Sequence, residues 1–254
     1  MKEPIQEVRM PAPWKTILAR TARKLATLSL LAAALILPST ILYGQQTYVS
    51  RFDTFVGYTF LDSPHVSLFE NGVHFQFGVR PKTWYSLGFD YSVSMGDLTL
   101  TPNLLTPTLQ QELGQLFMLL QPPPGYVLSV TAHSRTQTFA AGPQLAYRHF
   151  SKVTLFVRPD LGAIYERATP HPTDLIATTV VQALTPSGYK TDWTPFGGFG
   201  GGADLLFSKH FAMRVQADLV YDHLFSDILK DGRFTTRFSV GPCFNFGRNI
   251  KSAK

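Results

Sequence analysis

Three groupings in this chain of 254 residues have residue types and spacings that could carry chemistry. The first is Gly198-x-Gly200-x-x-Ala203 in TPFGGFGGGADLLF, with Asp218 further on. Glycines so spaced let a backbone close on a pyrophosphate and a later carboxylate take a ribose hydroxyl, provided that a helix opens on the glycines. The second is His133, Ser134 and Glu166, the base, hydroxyl and acid of a serine hydrolase. The third is a pair of isolated residues, His74 and Cys243. No His, Cys or carboxylate cluster has metal-ligand spacing, and a single cysteine has no partner for an internal disulfide.

The elements around these residues decide what they can do. The glycines are followed by ADLLFSKHFAMRV, a strand end, a tight turn and another alternating strand. The helix that a nucleotide requires is therefore missing, and Asp218 falls on one row of a strand. Neighbouring strand residues point to opposite faces, which places His133 and Ser134 poorly for sharing a proton. His74 reads as a hydrogen-bonded inward residue. No catalytic residue, metal ligand or cofactor is expected.

Alternation at a period of two runs through most of the chain. In VHFQFGVR, Val73, Phe75, Phe77 and Val79 oppose His74, Gln76, Gly78 and Arg80. In WYSLGFDYSVSM, Tyr85 to Met95 form an apolar row against Ser86, Gly88, Asp90 and Ser92. Six further segments run near 49–61, 134–150, 153–168, 191–207, 211–223 and 233–247, which makes eight strands. The links PKT, SK and SKH are tight turns. Longer links fall near 62–72, 96–133, 169–190 and 224–232, so all short turns lie at one end of the sheet and all long loops at the other. In the second long link, Thr106, Pro107 and the stop at Pro122–Pro124 predict one short helix over residues 107–121.

The polar rows are rich in Gly, Ser, Ala and Thr, whereas the apolar rows carry most of the 20 Phe and 10 Tyr. The interior of an eight-stranded barrel is just wide enough to be filled by side chains, so the polar rows belong inside. The apolar rows then need lipid, since such a surface would aggregate in water. An interior polar network is predicted from Arg51, Asp53, Arg80, Asp90, Arg148, Arg158, Asp160, Asp204, Arg214, Asp218 and Arg237, paired because buried charges must be. The inward Gly198, Gly200 and Gly202 are expected to leave room for long side chains such as Arg214. Tyr58, Phe60, Tyr85, Tyr91, Tyr147, Tyr165, Trp193 and Tyr221 are expected at the membrane interfaces. Pro143, Pro159, Pro195 and Pro242 lie inside predicted strands on the outward parity, where bulges would absorb the lost ladder bonds.

Residues 1–44 differ from the rest. Lys15, Arg20, Arg23 and Lys24 precede an uncharged apolar run from Ala26 to Gly44, the build of a secretory signal peptide cleaved near Gly44–Gln45; a retained anchor is the alternative. Without residues 1–44 the formal charge of +6 falls to about +2, which leaves no basic footprint for nucleic acid.

From about Val49 to Gly247 the chain resembles the small eight-stranded outer-membrane barrels of OmpA and OmpX type; its final strand is aromatic like theirs (Phe244, Phe246), but eight residues follow Phe246 where these proteins usually stop at the aromatic. The resemblance implies an all-β fold, a closed antiparallel up-and-down transmembrane barrel in the cell outer membrane of a Gram-negative type envelope. It also implies periplasmic turns, extracellular loops and a plugged or narrow, porin-like interior. The expected function is non-catalytic, structural or surface-interacting, with outer-membrane lipid around a monomeric barrel at residues 45–254 and an extracellular partner for the 96–133 loop. An outer-membrane lipid hydrolase built on His133, Ser134 and Glu166 is one alternative, and a secreted lipocalin-like binder of apolar ligands another.

Overall fold

The structure, a computed structural model, describes residues 46–251. The signal peptide expected over residues 1–44 lies outside the described residues. Eight antiparallel strands close into one barrel in the order β1-β2-β3-β4-β5-β6-β7-β8, with β8 pairing back onto β1. The strands are β1 Ser50–Ser63, β2 Leu68–Lys82, β3 Tyr85–Leu100, β4 Val130–Tyr147, β5 Val153–His171, β6 Lys190–Leu206, β7 Phe211–Asp222 and β8 Arg233–Asn249. Closure pairs each strand on both sides within the chain, so the barrel has no edge strand.

The alternating rows sort as their side chains require. Inward positions include His74, Gln76, Asp90, Ser92, Arg214 and Arg237, all buried, while Val73, Phe75, Leu87, Phe89, Phe199 and Leu219 lie exposed on the outside. On β5 the outward row runs Leu155, Val157, Pro159, Leu161, Ala163 and Tyr165. At about 3.3 Å per residue and a tilt of about 40°, that run covers roughly 25 Å, the height of the apolar band of a membrane barrel. Tyr91, Phe139, Trp193 and Tyr165 form a continuous ring cluster at its upper end, with centroids 4.7–6.5 Å apart. Above them the outward positions turn polar, with Asp97, His133, Arg135 and Arg167. No described helix is long and apolar enough to cross a membrane; this barrel presents its apolar surface through strands.

The four prolines are accommodated without bulges. The β4–β5 register is constant from Ala141↔Leu161 to Leu145↔Val157, but the rungs between are missing, and Pro143 faces Pro159 across that gap. Both lost N–H groups thus fall in one interruption. Pro242 sits in a similar gap on the β1 side, between Phe55↔Cys243 and Tyr58↔Val240. Pro195 lies beyond the last β6–β7 rung, Gly197↔Tyr221. Register shifts occur elsewhere, at Ser50/Phe52 and Val79/Lys82; at the first, Gly247 supplies a φ of 89°, a left-handed conformation that costs glycine little.

The loop end departs from expectation in two of its links and agrees in a third. The first link is not long: β1 and β2 continue upward and join through a 3-10 turn at Pro64–Val66 and Ser67. The second link holds the expected helix, α1, at Pro107–Leu120, with Pro107 in its first turn. The third link holds an unexpected helix, α2, at Leu175–Leu184, where the Asp174 side chain accepts a hydrogen bond from the Ala177 amide at 2.7 Å. Leu113 of α1, Ala177 and Val180 of α2, and Phe225, Ile228 and Leu229 of the last loop form one apolar cluster with Leu98, Val130 and Ala132 of the strands.

Candidate functional site

Two features could have function: the polar lumen and the layer just beneath the loops. The lumen holds a chain of charged side chains that begins near the turns. Asp53 meets Arg80 at 3.3 Å and Arg214 at 3.0 Å. Arg214 also forks onto Asp204, its cross-strand neighbour, through Nε at 2.7 Å and Nη2 at 3.0 Å. Its guanidinium lies over the inward rings of Phe55 and Phe156, 5.7 and 4.9 Å from their centroids. Arg214 Nη1 donates to Gln76 Oε1 at 2.8 Å, and Gln76 Nε2 donates to Asp90 Oδ2 at 3.1 Å.

Asp90 is the centre. It accepts from Arg158 Nη2 at 2.5 Å and from both Nη atoms of Arg237 at 3.2 Å, and His74 Nε2 stands 2.7 Å from Oδ2. His74 Nδ1 is 2.8 Å from Ser239 Oγ. Arg158 reaches Asp160 through Nε at 2.9 Å, and Arg237 reaches Asp218 through Nε at 2.9 Å. Charge-assisted bonds of this kind are shorter and stronger than neutral ones, and forked arginines fix geometry as well.

The structure thus brings together Asp53, Arg80, Asp90, Arg158, Asp160, Asp204, Arg214, Asp218 and Arg237. Arg148 is placed differently: it donates to Thr83 O, Gln46 Oε1 and Thr154 Oγ1 at the turn end, and no carboxylate pairs with it among the described residues. Arg51 is half-buried beside the register shift of β1 and makes no ion pair among the described residues, because the shift carries its end of the strand out of the regular inward row.

The glycines of β6 serve neighbours other than the one expected. A Cβ on Gly200 would stand 1.8 Å from Asp218 Oδ1, and one on Gly202 would stand 2.2 Å from Val215 O and 2.8 Å from Phe156 Cζ. They make room for Asp218 and Phe156, while Arg214 lies beside Asp204 instead.

Beneath the loops is a second, separate layer. Arg233 donates Nε to Asp222 at 3.0 Å and Nη2 to Glu166 Oε2. Ser134 Oγ donates to Glu166 Oε1 at 3.0 Å, and Thr136 Oγ1 donates to Glu70 Oε1 at 2.9 Å. Glu70 and Arg233 were absent from the predicted network. Glu70 lies in the stretch expected as the first long link, and Arg233 shares the inward parity of Arg237 on β8. His133 lies on the outer face, 3.2 Å from Asp97, so the barrel wall separates it from Ser134. Here Ser134 donates to the Glu166 carboxylate, with no histidine bonded to it among the described residues. Groups of metal-binding side chains are likewise absent among the described residues.

No family model and no curated protein matches the chain. Among solved structures it is similar to Neisserial surface protein A, at 9% identity over 77% of this chain and 96% of that one, with a TM-score of 0.48. It is also similar to Ail, the attachment invasion locus protein of Yersinia pestis, in complex with the heparin analogue sucrose octasulfate (12%, 78% and 99%, TM-score 0.44). A third is OprG, an outer membrane protein of Pseudomonas aeruginosa (10%, 80% and 99%, TM-score 0.42). These likenesses assign no residue and no ligand. The class is defined by the chain's own pairing and surface: a closed eight-stranded antiparallel barrel with an apolar outer belt and a lumen filled by ion pairs.

Proposed function

We propose that this chain is an integral outer-membrane β-barrel protein whose role is non-catalytic: a structural barrel that makes its outside contacts through its loop end. The observation that supports it most is the filled lumen. From Arg80 to Asp218, charged side chains bridge the interior from several strands, each buried and paired, beneath an exterior of Phe, Tyr and Leu. A soluble binder would hold its ligand in that lumen, and a hydrolase would need Ser134 and His133 on one face. For the outside contacts, the loop end carries exposed apolar side chains: Met118 and Leu119 of α1 stand about four-fifths exposed, and Val127 and Leu175 are exposed as well.

The test is cell fractionation with gel mobility. The chain is expected in the outer-membrane fraction, extractable only with detergent, and migrating faster unheated than boiled, as a closed barrel does. Release into buffer without detergent, or identical migration before and after boiling, would overturn the reading.

A further inference from the structure

The two rims of the barrel differ in charge. At the turn end Lys82, Lys152, Lys209 and Arg248 are exposed, Arg51 and Lys251 are half-buried, and none of the six pairs with a carboxylate among the described residues. The carboxylates nearest that rim, Asp53 and Asp204, are buried in the lumen and held by Arg80 and Arg214. The exposed acids among the described residues, Asp62, Asp97, Glu112, Asp174, Asp227 and Asp231, all lie at the loop end. The turn-end cations are also spread around the wall. Each tight turn carries one lysine, Lys82 at β2–β3, Lys152 at β4–β5 and Lys209 at β6–β7, and Arg51 and Arg248 stand where β8 closes on β1. Aromatic rings accompany them at every station. Lys82 Nζ lies 5.7 Å from the centroid of Trp84 and Lys209 Nζ 5.9 Å from that of Tyr48, while Tyr147, Phe207 and Phe246 are exposed beside the second turn, the third turn and the closure.

We propose that the turn end is a basic collar that gathers anionic phospholipids, those whose headgroup phosphate has no compensating amine, in the leaflet around the turns. The inference rests on the reading of this barrel as a membrane protein and adds which lipid it prefers and at which rim. Aromatic side chains of a membrane barrel sit at the boundary between hydrocarbon and headgroups. Cations one or two residues beyond them stand at the depth of the phosphates. Lysine and arginine close to an anionic leaflet are attracted to it, whereas a zwitterionic headgroup offers no net charge to answer them. The arrangement also selects among anionic partners. A folded protein would meet a compact patch on one side of the rim, but these cations occupy four stations around the whole wall, which matches a leaflet that encircles the barrel. The loop end, where every exposed acid lies, has no such collar.

The experiment uses the folded protein in phosphatidylcholine vesicles that carry a trace of spin-labelled phosphatidylglycerol or spin-labelled phosphatidylcholine. Electron spin resonance measures the fraction of each label that the barrel surface restricts. Phosphatidylglycerol is expected to be preferred by up to about fivefold, the equivalent of about 1 kcal/mol per cation. In roughly 1 M salt, where the Debye length is about 3 Å, the preference is expected to fall towards one. Lys82→Gln combined with Lys152→Gln, Lys209→Gln and Arg248→Gln is expected to abolish it, whereas Arg135→Gln with Arg167→Gln at the loop end is expected to leave it. Assembly of each variant is judged by gel mobility, and the salt series on the unmodified protein decides the matter if the fourfold variant does not assemble. Equal restriction of the two labels would overturn the proposal. So would a preference that survives high salt or the fourfold variant, or one that the loop-end variant removes. Restriction of neither label would overturn the membrane reading itself, and the collar with it.

Discussion

Arg237 on β8 and Asp90 on β3 meet across the lumen, with Nη1 3.2 Å from Oδ1 and Nη2 3.2 Å from Oδ2. The two strands share no backbone ladder. This fork therefore ties opposite walls through side chains alone, and with Arg158 on β5 it places three strands on one carboxylate. Removing one partner from such a group leaves a buried charge uncompensated. Arg237→Met is expected to destabilise the folded barrel by about 3–5 kcal/mol, measured as a lower urea midpoint by gel mobility. Arg148→Met, whose partners are carbonyls and a hydroxyl, is expected to cost clearly less. Equal losses would mean that the ion pairs contribute nothing specific.

Gly202 and Gly114 make a contrasting pair. A Cβ on Gly202 meets the Val215 carbonyl at 2.2 Å, backbone that can yield only by opening the β6–β7 ladder, whereas nothing lies within 4 Å of one on Gly114 in α1. Gly202→Ala is expected to destabilise by about 1–3 kcal/mol. Gly114→Ala is expected to stabilise α1 locally by up to about 1 kcal/mol. Thermal unfolding followed by circular dichroism, with amide exchange over α1, reads both.

Asp174 has two duties in the third loop. It caps α2 through the Ala177 amide, and its carboxylate oxygens each lie 3.0 Å from the Tyr126 hydroxyl. Partial burial, and then Asp174 itself, push the Tyr126 pKa above its ordinary value. A raised pKa favours the neutral phenol in the folded loop, so the strap is complete below the ordinary tyrosine pKa and is lost as pH rises through the raised one. Asp174→Ala is expected to cost α2 about 1 kcal/mol and to return Tyr126 to an ordinary titration. Ultraviolet difference titration against Tyr126→Phe measures that shift, and amide exchange over α2 measures the cap.

How far the sequence carried can be read from particular residues. Alternation found all eight strands within the apolar belt, because there the two faces of a strand differ most in polarity. It stopped at Leu61 and resumed at Val73, although β1 runs to Ser63 and β2 starts at Leu68. Above the belt the contrast between faces fades: Leu61 and Leu68 are apolar on the inward row, and Asp62 and Asn71 are polar on the outward one. The helix α2 escaped for another reason: Ile176, Thr178, Thr179, Val180 and Val181 are β-branched and poor helix formers, and tertiary packing overrides them. Parity selected the lumen residues without selecting their partners. Asp90 and Arg237, or Asp53 and Arg214, meet because of how the barrel closes, which no local spacing records.

The ion-pair network closes the lumen, and single-channel recording tests this most directly. With the full barrel reconstituted in a planar bilayer at neutral pH, no sustained open current is expected, because Asp90, Arg158, Arg237 and Asp218 occupy the cross-section. A steady ohmic current from the unmodified protein would contradict it.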